Sequence, residues 1–290
     1  LGRKNKLDTS LDLISNFFDN YFARSFTENK FRIIFESCRY EWGIPANRYS
    51  SHVLRYLINK KLMLESTFRS ERKEKSIYTW KSTDEFTIIS GLKSNSYFSH
   101  YSAMRIHQLS LQIPKTIYLN SERNPSTYNS NTTLTQDSID QAFKTSQRKS
   151  LDTLTYSENK ILMVNGKFTN KLGVIKIQNA QQCFEYTDLE RTLLDISVRP
   201  AYAGGVFEVL EAYKLAKNNL NITKLAAYLH RLDFIYPYHQ VVGFYLTKAG
   251  YSRSEIDLFR KEMKFNFYLT YEIRNKEFSH EWRLFYPKGF

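Results

Sequence analysis

The stretch Gly43–Trp80, GIPANRYSSHVLRYLINKKLMLESTFRSERKEKSIYTW, decides the class of the fold. Gly43-Ile44-Pro45 ends whatever helix precedes it, because Pro cannot continue a helix and Gly favours its end. Asn47 is placed to cap a new helix. Val53, Leu54, Leu57 and Ile58 recur at the spacing of one buried helical face. The runs Leu62–Phe68 and Ser76–Trp80 read as two strands joined by the polar tip Arg69–Lys75. On the N-terminal side, Leu11, Ile14, Phe17, Phe18 and Tyr21 predict an amphipathic helix over 9–23. Phe31, Ile34, Phe35 and Cys38 predict a second over 28–42. Helix, helix, turn, helix, charged hairpin is the order of a winged helix-turn-helix domain. The plainer alternative is a three-helix packing unit with a solvated hairpin.

Charge sharpens that choice. The chain has 290 residues, a formal net charge of +13 and a pI near 9.5, a balance that favours a polyanionic partner. Residues 1–82 carry 16 Lys/Arg against 9 Asp/Glu, whereas residues 83–165 carry 8 against 7. The basic surplus therefore concentrates where the helix-turn-helix pattern lies. Apolar residues at 42% indicate a folded chain with a real core. No apolar run approaches the roughly 20 residues of a spanning helix, so no membrane partner is expected. The N-terminus lacks the apolar region of a signal peptide. Cys38 and Cys183, far apart and without metal-ligand spacing, read as reduced buried thiols of a cytoplasmic protein.

In a helix-turn-helix the second helix of the motif enters the major groove. The side chains it would present are Asn47, Arg48, Tyr49, Ser51, His52 and Arg55. Arg reads guanine and Asn adenine, while Ser and Tyr mostly hold phosphates. No acidic residue falls between Asn47 and Lys61. Arg69, Arg72, Lys73 and Lys75 of the hairpin are the candidate backbone or minor-groove contacts, interrupted by Glu71 and Glu74. Arg3, Lys4 and Lys6 add either a basic arm or a plain tail.

A boundary near Ser82–Asp84 separates residues 1–82 from a larger mixed α/β domain, 83–290, with a helical C-terminal half. The overall expectation is α+β. Helices are expected at Phe86–Leu92 and Ser99–Leu109, and a strand at Lys115–Leu119. A polar loop follows over 120–136. Lys160–Val164 and Gly173–Ile177 read as strands flanking the hairpin-type turn Asn165-Gly166. Helices then follow at 187–198, 204–217, 222–231, 238–248 and 254–262. Enzyme signatures are thin. Glu158-Asn159-Lys160 spells the second half of a nuclease metal site, but its upstream acid must be Asp152 or Asp140, six residues away or on a helix. The six histidines are scattered, no Gly-rich phosphate loop occurs, and no cofactor or resident metal is expected.

Two further segments carry a resemblance. Tyr97–Asn120, YFSHYSAMRIHQLSLQIPKTIYLN, reads as helix, Pro114 turn and strand; Thr187–Gly205, TDLERTLLDISVRPAYAGG, opens on a Thr187–Glu190 capping box and stops at Arg199-Pro200. In order and spacing the two resemble the AbiEi family, antitoxins of bacterial type IV toxin–antitoxin systems. The resemblance implies a DNA-binding antitoxin that represses its own operon through promoter inverted repeats. It implies a second domain that counteracts a co-encoded nucleotidyltransferase-like toxin without a stable complex. Within that segment Asp195 and Arg199 are expected to pair at i,i+4. Arg191, Asp195 and Arg199 are either a structural hallmark or part of an antitoxicity surface. The helix 9–23 and the 120–136 loop depart from the family pattern. A nuclease fused to a DNA-binding domain and a stand-alone regulator are the competing readings.

Overall fold

The computed structural model describes residues 6–71, 73–125 and 133–290, and the chain is mixed α+β. Its first elements are α1 (Lys6–Asn20), β1 (Ser25–Thr27), α2 (Glu28–Cys38), α3 (Ser50–Asn59), β2 (Met63–Arg69), β3 (Glu74–Trp80), α4 (Glu85–Ser90) and β4 (Ser96–Phe98). There follow α5 (His100–Ile106), β5 (Thr116–Glu122), α6 (Gln136–Lys144), β6 (Thr153–Tyr156), β7 (Asn159–Gly166), β8 (Val174–Gln178) and β9 (Cys183–Thr187). The C-terminal part is α7 (Leu189–Val198), α8 (Val206–Ala216), α9 (Ile222–Leu232), α10 (Tyr238–Lys248), α11 (Arg253–Asp257), β10 (Phe267–Tyr268), β11 (Lys276–Ser279) and β12 (Leu284–Pro287). Arg3, Lys4, Arg72 and residues 126–132 of the polar loop lie outside the described residues. No described helix is long and apolar enough to cross a membrane.

The chain forms two compact units. The first takes in the described residues through Tyr97 together with Leu154–Glu158 and Lys176–Glu185. Its core is built by the periodic apolar residues of three helices. Ile14 and Phe18 of α1, Phe31, Ile34 and Phe35 of α2, and Val53, Leu54 and Leu57 of α3 are all buried, around Trp42 and Trp80. Each such side chain contributes roughly 1.5–3 kcal/mol by leaving water. α2 starts where the Thr27 hydroxyl accepts the Lys30 amide at 3.3 Å. β2 and β3 pair antiparallel from Met63↔Trp80 to Arg69↔Glu74, which carries β2 one residue and β3 two residues closer to the tip than the sequence suggests. β1 adds to the other side of β3, Ser25↔Thr79 to Thr27↔Ile77. β2 in turn meets β6 at Arg69↔Thr155, where Phe68 and Tyr156 stack at 4.6 Å. Gly91, just after α4, permits close approach to β1, since a Cβ there would lie 2.8 Å from Ser25 Cβ.

The second unit comprises the described residues of Phe98–Thr153, Asn159–Ile175 and Tyr186–Phe290. β5 and β7 run parallel, in register from Thr116↔Lys160 to Glu122↔Gly166. This corrects the hairpin expected at Asn165-Gly166: both residues belong to β7. Asn120 accepts the Gly166 amide at 3.0 Å, and a Cβ on Gly166 would lie 2.9 Å from the Asn120 side chain. Side-chain capture of the backbone displaces the turn. α5, which follows Ser99 without a side-chain capping bond, and α7, α8, α9 and α10 enclose one apolar core with β12 and Trp282. Gln240, wholly buried on α10, donates to the Trp282 carbonyl at 2.7 Å and so joins helix to C-terminal segment. Both cysteines are free and buried.

Candidate nucleic-acid interface

Gly43, at φ +67°, ends the segment after α2 in the left-handed region that suits glycine. The chain then turns over Pro45–Arg48, closed by the Arg48 amide on the Pro45 carbonyl at 3.0 Å. That turn uses Asn47, so the expected Asn47 cap is corrected. α3 begins at Ser50 behind Tyr49, whose side chain makes no capping bond. With Val53, Leu54 and Leu57 buried, the opposite face carries Ser51, His52 and Arg55, all exposed, below exposed Asn47, Arg48 and Tyr49. The Tyr49 and His52 rings meet edge to face at 5.5 Å. The six residues expected on a reading face are thus all exposed to solvent.

Arg39, which the sequence pattern did not single out, braces that segment. Its Nη2 donates to the Pro45 carbonyl at 3.0 Å, and its guanidinium lies 5.4 Å from the Phe35 ring and 5.8 Å from the Tyr40 ring. Further along, the Tyr56 hydroxyl donates to Asp8 at 2.5 Å and the Lys60 ammonium pairs with the same carboxylate at 3.1 Å. Burial and the Asp8 charge push the Tyr56 hydroxyl up to about 12, so it stays a donor and α1 is tied to α3.

The hairpin delivers fewer cations than its composition offers. Lys73 is exposed in the turn, where Ser70 and Lys73 exchange backbone and hydroxyl bonds of 2.8–3.2 Å. Arg69 is exposed but paired with Glu74 at 2.8 Å. Lys75 turns inward: it donates to the Leu92 carbonyl, and burial holds its ammonium below the usual lysine value. The cause is strand parity. Lys75 is the register partner of Phe68, which is fully buried, so the two share an inner face.

In the second unit, α7 is capped by Asp188, which accepts the Arg191 amide at 2.9 Å. Thr187 instead ends β9, with its hydroxyl on Thr192 at 2.8 Å, so the Thr187–Glu190 box is corrected. Glu190 accepts the Asn221 amide at 3.0 Å and pairs with Lys224 at 2.8 Å. The expected Asp195–Arg199 pair is replaced by Arg191–Asp195 at 2.8 Å, nearly buried. Arg191 also donates to the Leu172 carbonyl at 2.6 Å, a buried acceptor that fixes its direction. Arg199 donates to the Arg148 carbonyl at 3.2 Å and lies over the Tyr202 ring. Of the three antitoxicity candidates, Arg191 and Asp195 are therefore tied into the interior.

Glu158 sits in the turn joining β6 and β7, and Asp140 on α6 accepts from Gln136 at 2.8 Å and Tyr268 at 3.0 Å. Among the described residues no three His, Cys, Asp or Glu side chains gather to hold a metal.

Neither a family model nor a curated protein sequence matches the chain. Among solved structures, the crystal structure of the RV2827C protein from Mycobacterium tuberculosis is similar in fold, with a TM-score of 0.52 at 10% identity over 96% of this chain and 91% of that one.

Proposed function

We propose that the chain is a DNA-binding antitoxin and autorepressor of the AbiEi kind, acting on promoter inverted repeats through a winged helix in its first unit. One observation carries the DNA-binding part. The order α1-β1-α2-α3-β2-β3, with β1 outside β3 and β3 beside β2, is compatible with a winged helix and supports that reading, and the exposed residues Arg48 of the preceding turn and Ser51, His52 and Arg55 of α3 include no carboxylate. α3 is then the groove helix and the β2–β3 tip the wing. Arg48 and Arg55 read bases, Asn47, Tyr49 and Ser51 position the backbone, and Lys73 and Arg69 reach phosphates from the tip. Lys75, half-buried and turned onto the Leu92 carbonyl, is not assigned a DNA contact. Inverted repeats call for two copies of the chain on one operator. The antitoxin half of the reading rests on the resemblance of residues 97–120 and 187–205. It names a co-encoded nucleotidyltransferase-like toxin as functional partner.

The test is operator binding against random DNA across a salt series. Arg48→Ala and Arg55→Ala are each expected to cost about 1–3 kcal/mol on the operator and to relax preference at particular base pairs. In cells carrying the neighbouring toxin gene, the double variant should lose repression and keep rescue. Equal losses on operator and random DNA, or affinity indifferent to salt, overturn the winged-helix reading. Failure of the unaltered chain to rescue overturns the antitoxin reading alone.

A further inference from the structure

A cavity of about 460 Å³ opens in the first unit, and none of the residues proposed above to contact DNA is among those lining it. β1 forms one wall, and the segment from Ser90, the last residue of α4, to Ser96 forms another. Its size suits a single mononucleotide-sized guest. Three lysines line it, Lys30, Lys93 and Lys176, against one carboxylate, Glu185. Lys30 lies on the first turn of α2, where the helix dipole disfavours a cation. Lys93 is exposed at the rim, and the Lys176 ammonium is anchored on the Phe22 carbonyl at 2.7 Å. Three lysines against one carboxylate give the lining a positive balance, which favours an anion with several acceptor oxygens. The cavity also has an apolar side. Phe22, 59% exposed, lines it beside the buried Phe184. An exposed aromatic edge next to phosphate-binding cations is the pairing that holds a base and its phosphates together.

We infer that this cavity binds a free nucleoside phosphate, its phosphates on Lys30, Lys93 and Lys176 and its base against Phe22. No residue of α3 lines the site, so the inference does not rest on the DNA-binding reading.

The experiment is calorimetric titration of the full chain with ATP, AMP and inorganic phosphate. ATP is expected to bind saturably at one site, with inorganic phosphate weaker by about tenfold or more because it forgoes the base contact. Lys30→Glu with Lys93→Glu, both at exposed positions, should weaken ATP by roughly tenfold or more while leaving the melting temperature of the apo chain near its original value. Phe22→Ser should weaken ATP and leave inorganic phosphate unchanged. The Arg48→Ala, Arg55→Ala protein should bind ATP as the unaltered chain does. The inference is overturned if ATP shows no saturable binding, if inorganic phosphate binds as well as ATP, or if a Glu-rich peptide displaces ATP and binds more tightly. It is also overturned if ATP binding survives the lysine reversals or is lost in the α3 double variant, since the nucleotide then sits on the DNA face.

Discussion

Replacing Arg39 by Lys removes the brace of the α2–α3 turn while keeping its charge, and so separates geometry from electrostatics. The bond lost is Nη2 to the Pro45 carbonyl at 3.0 Å; the contact with the Arg48 carbonyl, at 3.5 Å, is too long to add much. A hydrogen bond from a charged donor is worth roughly 1.5–3 kcal/mol. Two features trim that figure. Pro45 is only half-buried, so water reaches its freed carbonyl, and the buried Arg39 Nε finds no partner among the described residues, a cost that Lys does not carry. The weak Arg39–Glu36 pair, at 3.4 Å with Glu36 exposed, contributes little either way. Loss of the flat guanidinium over Phe35 restores a few tenths of a kcal/mol to the cost. The net expectation is a destabilisation of about 1–2 kcal/mol. Urea unfolding read by fluorescence reports on this unit through buried Trp42 and Trp80. At a slope of roughly 1–3 kcal/mol per molar urea, the midpoint should fall by about 0.3–2 M. Operator affinity should drop more than affinity for random DNA, because a looser turn misplaces Arg48 and Arg55 without removing charge. An unchanged midpoint refutes the brace. A midpoint that falls with no preferential operator loss refutes its link to recognition.

Two further perturbations test the second unit. Gly243→Ala should destabilise by about 2 kcal/mol or more: the helical preference for Ala offers roughly 1 kcal/mol, but the new Cβ would lie 2.1 Å from Trp282 Cη2. Trp282 is fully buried and held by Thr247 at 3.0 Å, so it cannot yield, and a raised melting temperature would contradict this packing. His100 is buried beside Ser99, and burial pushes its imidazole down to about 4, with Asp195 pulling upward and Arg199 and Arg191 pushing further down. Its ordinary value is 6.5, so above that pH neither folded nor unfolded chain carries the proton. As pH falls from 6.5 toward 4, only the unfolded chain binds it, and stability is lost, by about 2 kcal/mol at pH 5. His100→Asn, which tolerates the left-handed backbone at φ +52°, should flatten that stretch of the stability–pH curve; an unaltered slope refutes the assignment.

The helices were legible where apolar side chains repeat over three turns, as in α2, α3 and α10, since such a stripe has one way to leave water. β1 was not, because three residues carry no period and Ser25–Thr27 gains its strand geometry from β3. Asn165-Gly166 misled because turn chemistry is local, whereas Asn120 reaches Gly166 from 46 positions away. Both neighbours of Asp195 at i±4 are arginines, and only the buried Leu172 carbonyl decides that Arg191 is its partner. Burial of Val53, Leu54 and Leu57 fixed which side α3 exposes, but Arg39 went unnoticed because its acceptor is a backbone atom that no side-chain pattern encodes. The same long-range logic bears on how function is dissected. Within the first unit, Phe68 stacks on Tyr156, Arg24 donates to the Asn179 carbonyl and Ser82 to that of Gln181. A chain cut after Ser82 leaves each of those groups without its partner. Loss of activity in either half would then report a damaged core, whereas the exposed Arg48 and Arg55 can be removed without breaking any of these bonds.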